Sequence, residues 1–130
     1  MAKRPRSRPR AQGKRGTATL EYALILPVLL LFLLGIMDMG RLMWIYAGLN
    51  RGVEAASRCA AVNTSACGTT ASIQAVAAAE VWGASVSSSV FSVSTASCGV
   101  QVSASYTFGF FTPGLSPITL APSACFTKMQ

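Results

Sequence analysis

The spacing of apolar residues changes along the chain and divides it into regions. From Tyr22 to Met37 every residue is apolar, glycine or proline. The apolar residues after this run recur at spacings of three and four, which predicts that the same helix continues: Leu42, Ile45, Leu49 and Val53. From Val100 to Phe108 apolar and polar residues alternate, and this is the period of a strand.

The first two regions predict one helix from about Thr17 to Val62. Such a helix would be about 69 Å long, whereas a hydrocarbon core is about 30 Å thick. We expect residues 17–46 to be a transmembrane helix, with Trp44 and Tyr46 at a membrane–water interface. Residues 47–62 continue the helix outside the membrane and must pack on something. Pro27 interrupts the apolar run and is expected to kink the helix.

Small and charged residues mark two further features of this helix. Four small residues follow strict i+4 spacing and predict a helix-packing face that lets another backbone approach closely: Gly48, Gly52, Ala56 and Ala60. Asp38 and Arg41 are three residues apart and are expected to pair on one face, which eases the burial of both charges.

The remainder, residues 63–130, is predicted to be a small α+β domain. A short second helix is expected over 70–82, capped by Thr70 or Ser72. Strands are expected over 90–95 and 100–108, and a third after Pro117. We expect one small antiparallel sheet to lay its apolar face on the outer half of the long helix. The aromatic residues of 106–111 are expected to belong to the core.

Charge is concentrated in a tail at residues 1–16, which carries seven basic residues and no acid. The rest of the chain has four basic and four acidic residues, so the net charge of +7 comes from the tail. Basic residues directly before an apolar helix hold that end in the cytoplasm and place the other end outside. We do not expect nucleic-acid binding, since no aromatic or glycine-rich pattern accompanies the charges and Pro5 and Pro9 disfavour a recognition helix.

All four cysteines lie after the apolar run, and an even number in a small exported domain indicates disulfides. Three pairings are possible, and loop length favours the most local one, Cys59–Cys67 with Cys98–Cys125. The chain has no histidine and no CxxC pair, so no metal site and no cofactor are expected. The serines lack a histidine or a suitable lysine partner, and we therefore do not expect an enzyme.

The boundary between tail and apolar run reads Gly16-Thr17-Ala18-Thr19-Leu20-Glu21-Tyr22. A charge just inside a membrane helix is costly, which suggests that Glu21 has a function. The arrangement resembles a type IV prepilin processing site, with a cut between Gly16 and Thr17 that makes Glu21 the fifth mature residue. In a bundle of apolar helices Glu21 could then pair with the α-amine of a neighbouring subunit. Alternatively, Glu21 lies in the headgroup region and suits the helix dipole.

From this point the sequence resembles the TadE-like proteins of the tight-adherence (Tad, Flp) pilus system. The resemblance is strong over residues 16–62 and weak beyond them. It is carried by GTATLEYALILPVLLLFLLGIMDMGR and NRGVEAASRCAAV, within which the matching positions are Glu21, Tyr22, Pro27, Gly35, Asp38, Gly40, Arg41, Ala55, Ala56, Arg58, Ala60 and Ala61. The later strand VQVSASYTF is also similar.

The resemblance implies a pilin-like α+β fold and a non-enzymatic minor pseudopilin that acts in pilus biogenesis and surface adherence. It implies maturation by a prepilin peptidase, and association with the bacterial inner membrane, other pilin or pseudopilin subunits and Tad assembly proteins. The C-terminal domain would be periplasmic. One alternative is a single-pass anchored periplasmic domain with a binding role and no filament function. Another is a secreted protein with an ordinary signal peptide, but the apolar run is long for one and no small-x-small site lies directly after it.

Overall fold

The computed structural model describes residues 15–127 and shows one long helix followed by a small α+β domain. Helix α1 spans Arg15–Val62 and α2 spans Thr70–Ala79, with a 3₁₀ turn at Ser88–Val90. The strands are β1 (Phe91–Ala96), β2 (Gly99–Ala104), β3 (Tyr106–Phe108), β4 (Ile118–Leu120) and β5 (Ser123–Phe126). The predicted α+β fold with a long N-terminal helix is confirmed.

Helix α1 has two halves with different surroundings. Its 48 residues form about 72 Å of helix and pass through Pro27 without interruption. Residues 20–34 are exposed around the whole circumference, and the most apolar window has a mean hydropathy of 2.4 with no part buried in the chain. From Asp38 onward one face is buried, with Leu49 and Val53 in the core. By length and composition the first half is suited to cross a membrane.

Helix α2 begins with a capping box. The Thr69 hydroxyl accepts a hydrogen bond from the Ser72 backbone N–H, and the Ser72 hydroxyl accepts one from the Thr69 N–H. The prediction of Thr70 or Ser72 as the cap is therefore wrong, because Thr69 is the cap and Ser72 is its reciprocal partner. The helix ends at Ala79 rather than at residue 82.

The strands form two antiparallel sheets where one was predicted. The larger has the order β1-β2-β5, and the smaller pairs β3 with β4. The predicted strand over 100–108 is divided at Ser105, whose N–H donates to the Val90 carbonyl outside both sheets. Strand β4 lies where the third strand was expected, and β5 was not predicted.

The core lies between the larger sheet, α2 and the outer half of α1. Its fully buried large side chains include Phe91, Val102 and Phe108 from the strands and Leu49 from α1. Two disulfides close the domain, in the pairing that was favoured from loop length. Cys59–Cys67 joins the end of α1 to the loop after it, and Cys98–Cys125 joins the β1–β2 turn to β5.

Candidate functional site

The predicted processing site lies within α1, among its first described residues. Arg15, the first described residue, is already helical, so the bond between Gly16 and Thr17 lies inside α1, whereas a helix starting at about Thr17 was predicted to leave it outside. The basic residues 1–14 lie outside the described residues. Cleavage after Gly16 stays a prediction.

Glu21 and Tyr22 lie on the exposed first half of α1. Within residues 15–127 the ion pair that forms is the one between Asp38 and Arg41, so Glu21 has no charged partner in this part of its own chain. A carboxylate exposed on an otherwise apolar helix is costly in lipid unless a partner comes from elsewhere. The position of Glu21 is thus compatible with a contact to another subunit.

The first two residues of the row of small residues on α1 face α2 and the segment directly after it. A Cβ atom added at Gly52 would lie 2.6 Å from the Ala77 carbonyl oxygen, and one at Gly48 would lie 3.1 Å from Val81 Cγ1. Ala56 and Ala60 are buried. At Gly52 the approaching backbone is therefore that of the chain's own second helix, and the face from Gly52 to Ala60 is buried in the folded domain.

Asp38 holds a contact that was not predicted. Its carboxylate is 1% exposed and accepts hydrogen bonds from the loop between β3 and β4. At Oδ2 the donors are the Thr112 hydroxyl (2.7 Å) and the Thr112 N–H (2.8 Å). At Oδ1 they are the Phe111 N–H (3.1 Å) and Arg41 Nη1 (3.2 Å). The predicted Asp38–Arg41 pair is present, and four donors together compensate the buried charge.

Arg41 extends this contact by stacking on the same loop. Its guanidinium carbon lies 4.0 Å from the centroid of the Phe111 ring and 5.2 Å from that of Phe108. Cation–π attraction therefore adds to the hydrogen bonds that hold the loop on the helix. Phe108 is buried, but Phe111 is 71% exposed, so the prediction that all aromatic residues of 106–111 belong to the core is wrong for Phe111.

Comparison with protein families gives a match that lies within α1. The family model described as TadE-like protein matches residues 16–58. These residues form a TadE-like segment. It covers about a third of the chain and confirms the resemblance drawn from the sequence. Comparison with curated proteins and with solved structures yields no match.

The TadE-like segment runs from the predicted scissile glycine to the last turn but one of α1. It includes Glu21, Pro27 and Asp38, and therefore both the exposed apolar half and the part that packs into the domain. Helix α2 and all five strands lie beyond residue 58 and outside the match. The family match therefore characterises α1, including the part that contributes to the core, and does not extend to the elements on which α1 packs.

A second polar contact fixes the domain to the TadE-like segment at Trp44. The indole Nε1 of Trp44 donates to the Trp82 carbonyl oxygen at 2.9 Å, across 38 residues of sequence. The next residue, Gly83, has a φ of +78° and would bring a Cβ to 3.2 Å from Trp44 Nε1. Glycine is therefore favoured there by backbone conformation and by space.

Proposed function

We propose that this protein is a pilin-like subunit of a Tad-type pilus assembly system, anchored by the first half of α1. The observation that carries the proposal is the coincidence of the TadE-like match with a helix that is exposed and apolar in one half and packed into a disulfide-bonded domain in the other. A subunit of this shape can pack its apolar half against other helices or lipid while its domain is displayed outside.

The proposed maturation step is cleavage between Gly16 and Thr17 by a prepilin peptidase. The basic residues before the helix would keep this bond at the cytoplasmic face, and the domain would be periplasmic. Removal of the tail exposes an α-amine at Thr17. A chain that retains the tail would bring seven uncompensated basic residues to a bundle of apolar helices.

The proposed role of Glu21 is to compensate the Thr17 amine of a neighbouring subunit. Along the helix axis the two residues of one chain are separated by about 6 Å. A neighbouring helix displaced by about one turn would therefore bring its amine to the level of this carboxylate. Since an unpaired carboxylate in an apolar bundle is expensive, the pair would also set the axial register between subunits.

The experiment that tests maturation is N-terminal sequencing of the membrane-associated protein from cells with and without the prepilin peptidase. We expect a start at Thr17 that depends on the peptidase. An intact tail in both strains would instead support a signal-anchored domain with no place in a filament pathway.

The role of Glu21 needs a separate comparison. Glu21→Gln should leave membrane insertion and cleavage unchanged but reduce piliation or co-purification with other pilin-like subunits. Tyr22→Phe is the control, because it changes the neighbouring residue of the same helical turn without altering the charge. Normal assembly with Glu21→Gln would refute the proposed charge pairing while leaving the maturation step untouched.

A further inference from the structure

Three elements bring exposed aromatic side chains to nearly one level on α1. They are Trp44 on α1 itself, Trp82 in the segment after α2, and Phe111 in the β3–β4 loop. Their exposed fractions are 64%, 74% and 71%. We call these three residues the aromatic collar. In a small folded domain large aromatic side chains are usually buried, so their exposure at one level needs an explanation.

The level of the collar is fixed by the polar contacts at Asp38 and Trp44. Trp82 is tied by its carbonyl oxygen to the indole of Trp44, and Phe111 is tied by its N–H to Asp38 and by its ring to Arg41. Between Asp38 and Trp44 the helix rises by about 9 Å. All three aromatic residues therefore lie close to the end of the apolar run.

That level is where a membrane spanned by α1 would end. The apolar residues 22–37 form about 24 Å of helix, slightly short of a hydrocarbon core of about 30 Å. With Glu21 near one boundary, Asp38 falls near the other, and the collar occupies the headgroup region directly beyond it. Tryptophan is enriched in this region of membrane proteins because its ring is apolar and its N–H is polar.

The charges near the collar are compatible with lipid. Residues 105–127 contain no charged side chain, and they include a second exposed apolar side chain, Leu115, in the same β3–β4 loop as Phe111. Asp38 is covered by its four donors, while Arg41 is partly exposed and can reach a lipid phosphate. Glu80 lines the same shallow cleft as Arg51, so the nearest acid to Trp82 has a basic residue close by.

We propose that the aromatic collar seats the folded domain on the lipid headgroups of the membrane that α1 crosses. The occupant of this surface is a phospholipid interface, and the domain would lie directly on it rather than stand away on the helix. This inference rests on α1 as a membrane span. It does not require processing or entry into a filament.

The test uses tryptophan fluorescence, because Trp44 and Trp82 are the two tryptophans of the chain. The full chain is reconstituted in phosphatidylcholine vesicles with and without bromine on the acyl chains near the headgroups. Trp82→Phe keeps the hydrogen bond from Trp44, because its acceptor is the backbone carbonyl of residue 82, and the emission that this variant loses relative to the unsubstituted protein reports on Trp82. Phe111→Trp on a Trp44→Phe/Trp82→Phe background reports on the loop. Val62→Trp on the same background is the matched control, since Val62 is 65% exposed and about 27 Å further along α1 than Trp44.

We expect brominated lipid to reduce the emission of Trp82 and of the Phe111→Trp reporter about twofold, while aqueous iodide has little effect on either. The Val62→Trp control should show the reverse. The unsubstituted protein, with both natural tryptophans, should also lose about half of its emission in brominated lipid, and this measurement does not depend on how a variant folds.

Two results would overturn the proposal. In the first, Trp82 and the Phe111→Trp reporter respond to both quenchers as Val62→Trp does, which would place the domain away from the membrane. In the second, both reporters are protected from brominated lipid and from iodide, which would show that a second copy of the chain covers the collar.

Discussion

At Gly52 the backbone of α1 approaches that of α2 closely, and one added methyl group there should destabilise the domain. A Cβ at this position would lie 2.6 Å from the Ala77 carbonyl oxygen and 3.4 Å from Phe91 Cε1. The oxygen belongs to the backbone of a capped helix and cannot rotate aside, so α2 must move. Overpacking of this kind costs about 1–3 kcal/mol. Alanine also favours the helix over glycine by about 1 kcal/mol, which offsets part of the cost.

Alanine substitutions at two other glycines of α1 separate the cost of overpacking from the gain in helix propensity. Gly48→Ala brings a Cβ to 3.1 Å from a valine side chain, which can adjust, and Gly40→Ala meets nothing within 4 Å. All three substitutions share the gain in helix propensity. We therefore expect stability to fall in the order Gly40→Ala, Gly48→Ala, Gly52→Ala, with about 1–3 kcal/mol between the first and the last.

The assay is chemical denaturation of the full chain in detergent micelles with both disulfides intact, followed by near-ultraviolet circular dichroism. A difference of 1 kcal/mol corresponds to a shift of about 4–8 °C in the melting temperature of a domain of this size, so thermal unfolding provides an independent measurement. If Gly52→Ala were as stable as Gly40→Ala, the close approach of the two helices would be refuted.

The remaining predictions concern the disulfides, the α2 cap and the Asp38 contact. Replacing Cys98 and Cys125 by serine should cost about 3.5 kcal/mol and replacing Cys59 and Cys67 about 2.5 kcal/mol, because the first bridge closes the longer loop; denaturation of the two double variants gives the order, and the reverse order would contradict this reasoning. Thr69→Ala should cost about 1 kcal/mol by removing the cap of α2, whereas Thr70→Ala, one residue further on, should cost little; equal losses in a denaturation series would rule out the cap. Asp38→Ala should release the β3–β4 loop, so that amide exchange at Thr112 accelerates while that of the β1–β2 ladder does not; unchanged exchange at Thr112 would show that the loop is held by other contacts.

Local patterns predicted the elements that depend on local interactions. The end of α1 at Val62 agrees with a periodicity that stops at Asn63, and α2 agrees with the apolar face predicted there, although its cap is Thr69 rather than Thr70 or Ser72. Strand β5 was missed because its four residues carry no alternation of apolar and polar positions. Its place in the sheet depends on pairing with β2, whose residues lie 20 to 26 positions earlier in the chain.

The contact of Asp38 with the β3–β4 loop was also missed because it joins residues that are distant in sequence. The i+3 spacing predicted the pair with Arg41, but Thr112 is 74 residues away and no periodicity connects them. A signal was nevertheless present. A carboxylate at the end of an apolar run needs more than one donor, and the Phe-Thr-Pro-Gly sequence supplies backbone N–H groups outside any strand. For Gly16, Thr17 and Glu21 the predicted partners are other proteins, so a pattern in one chain can identify these residues but cannot supply the contacts.

The continuity of α1 has a mechanical consequence. From Asp38 to Val62 the helix is uninterrupted and forms one wall of the domain core, with no linker between the apolar half and the folded part. This stretch is a lever of about 36 Å, so a tilt of about 20° would carry its far end sideways by about 12 Å. A neighbouring helix that sets the tilt of the apolar half of α1 therefore also sets the orientation of the domain. A small change in how the apolar halves pack against each other becomes a large displacement at the far end of the domain.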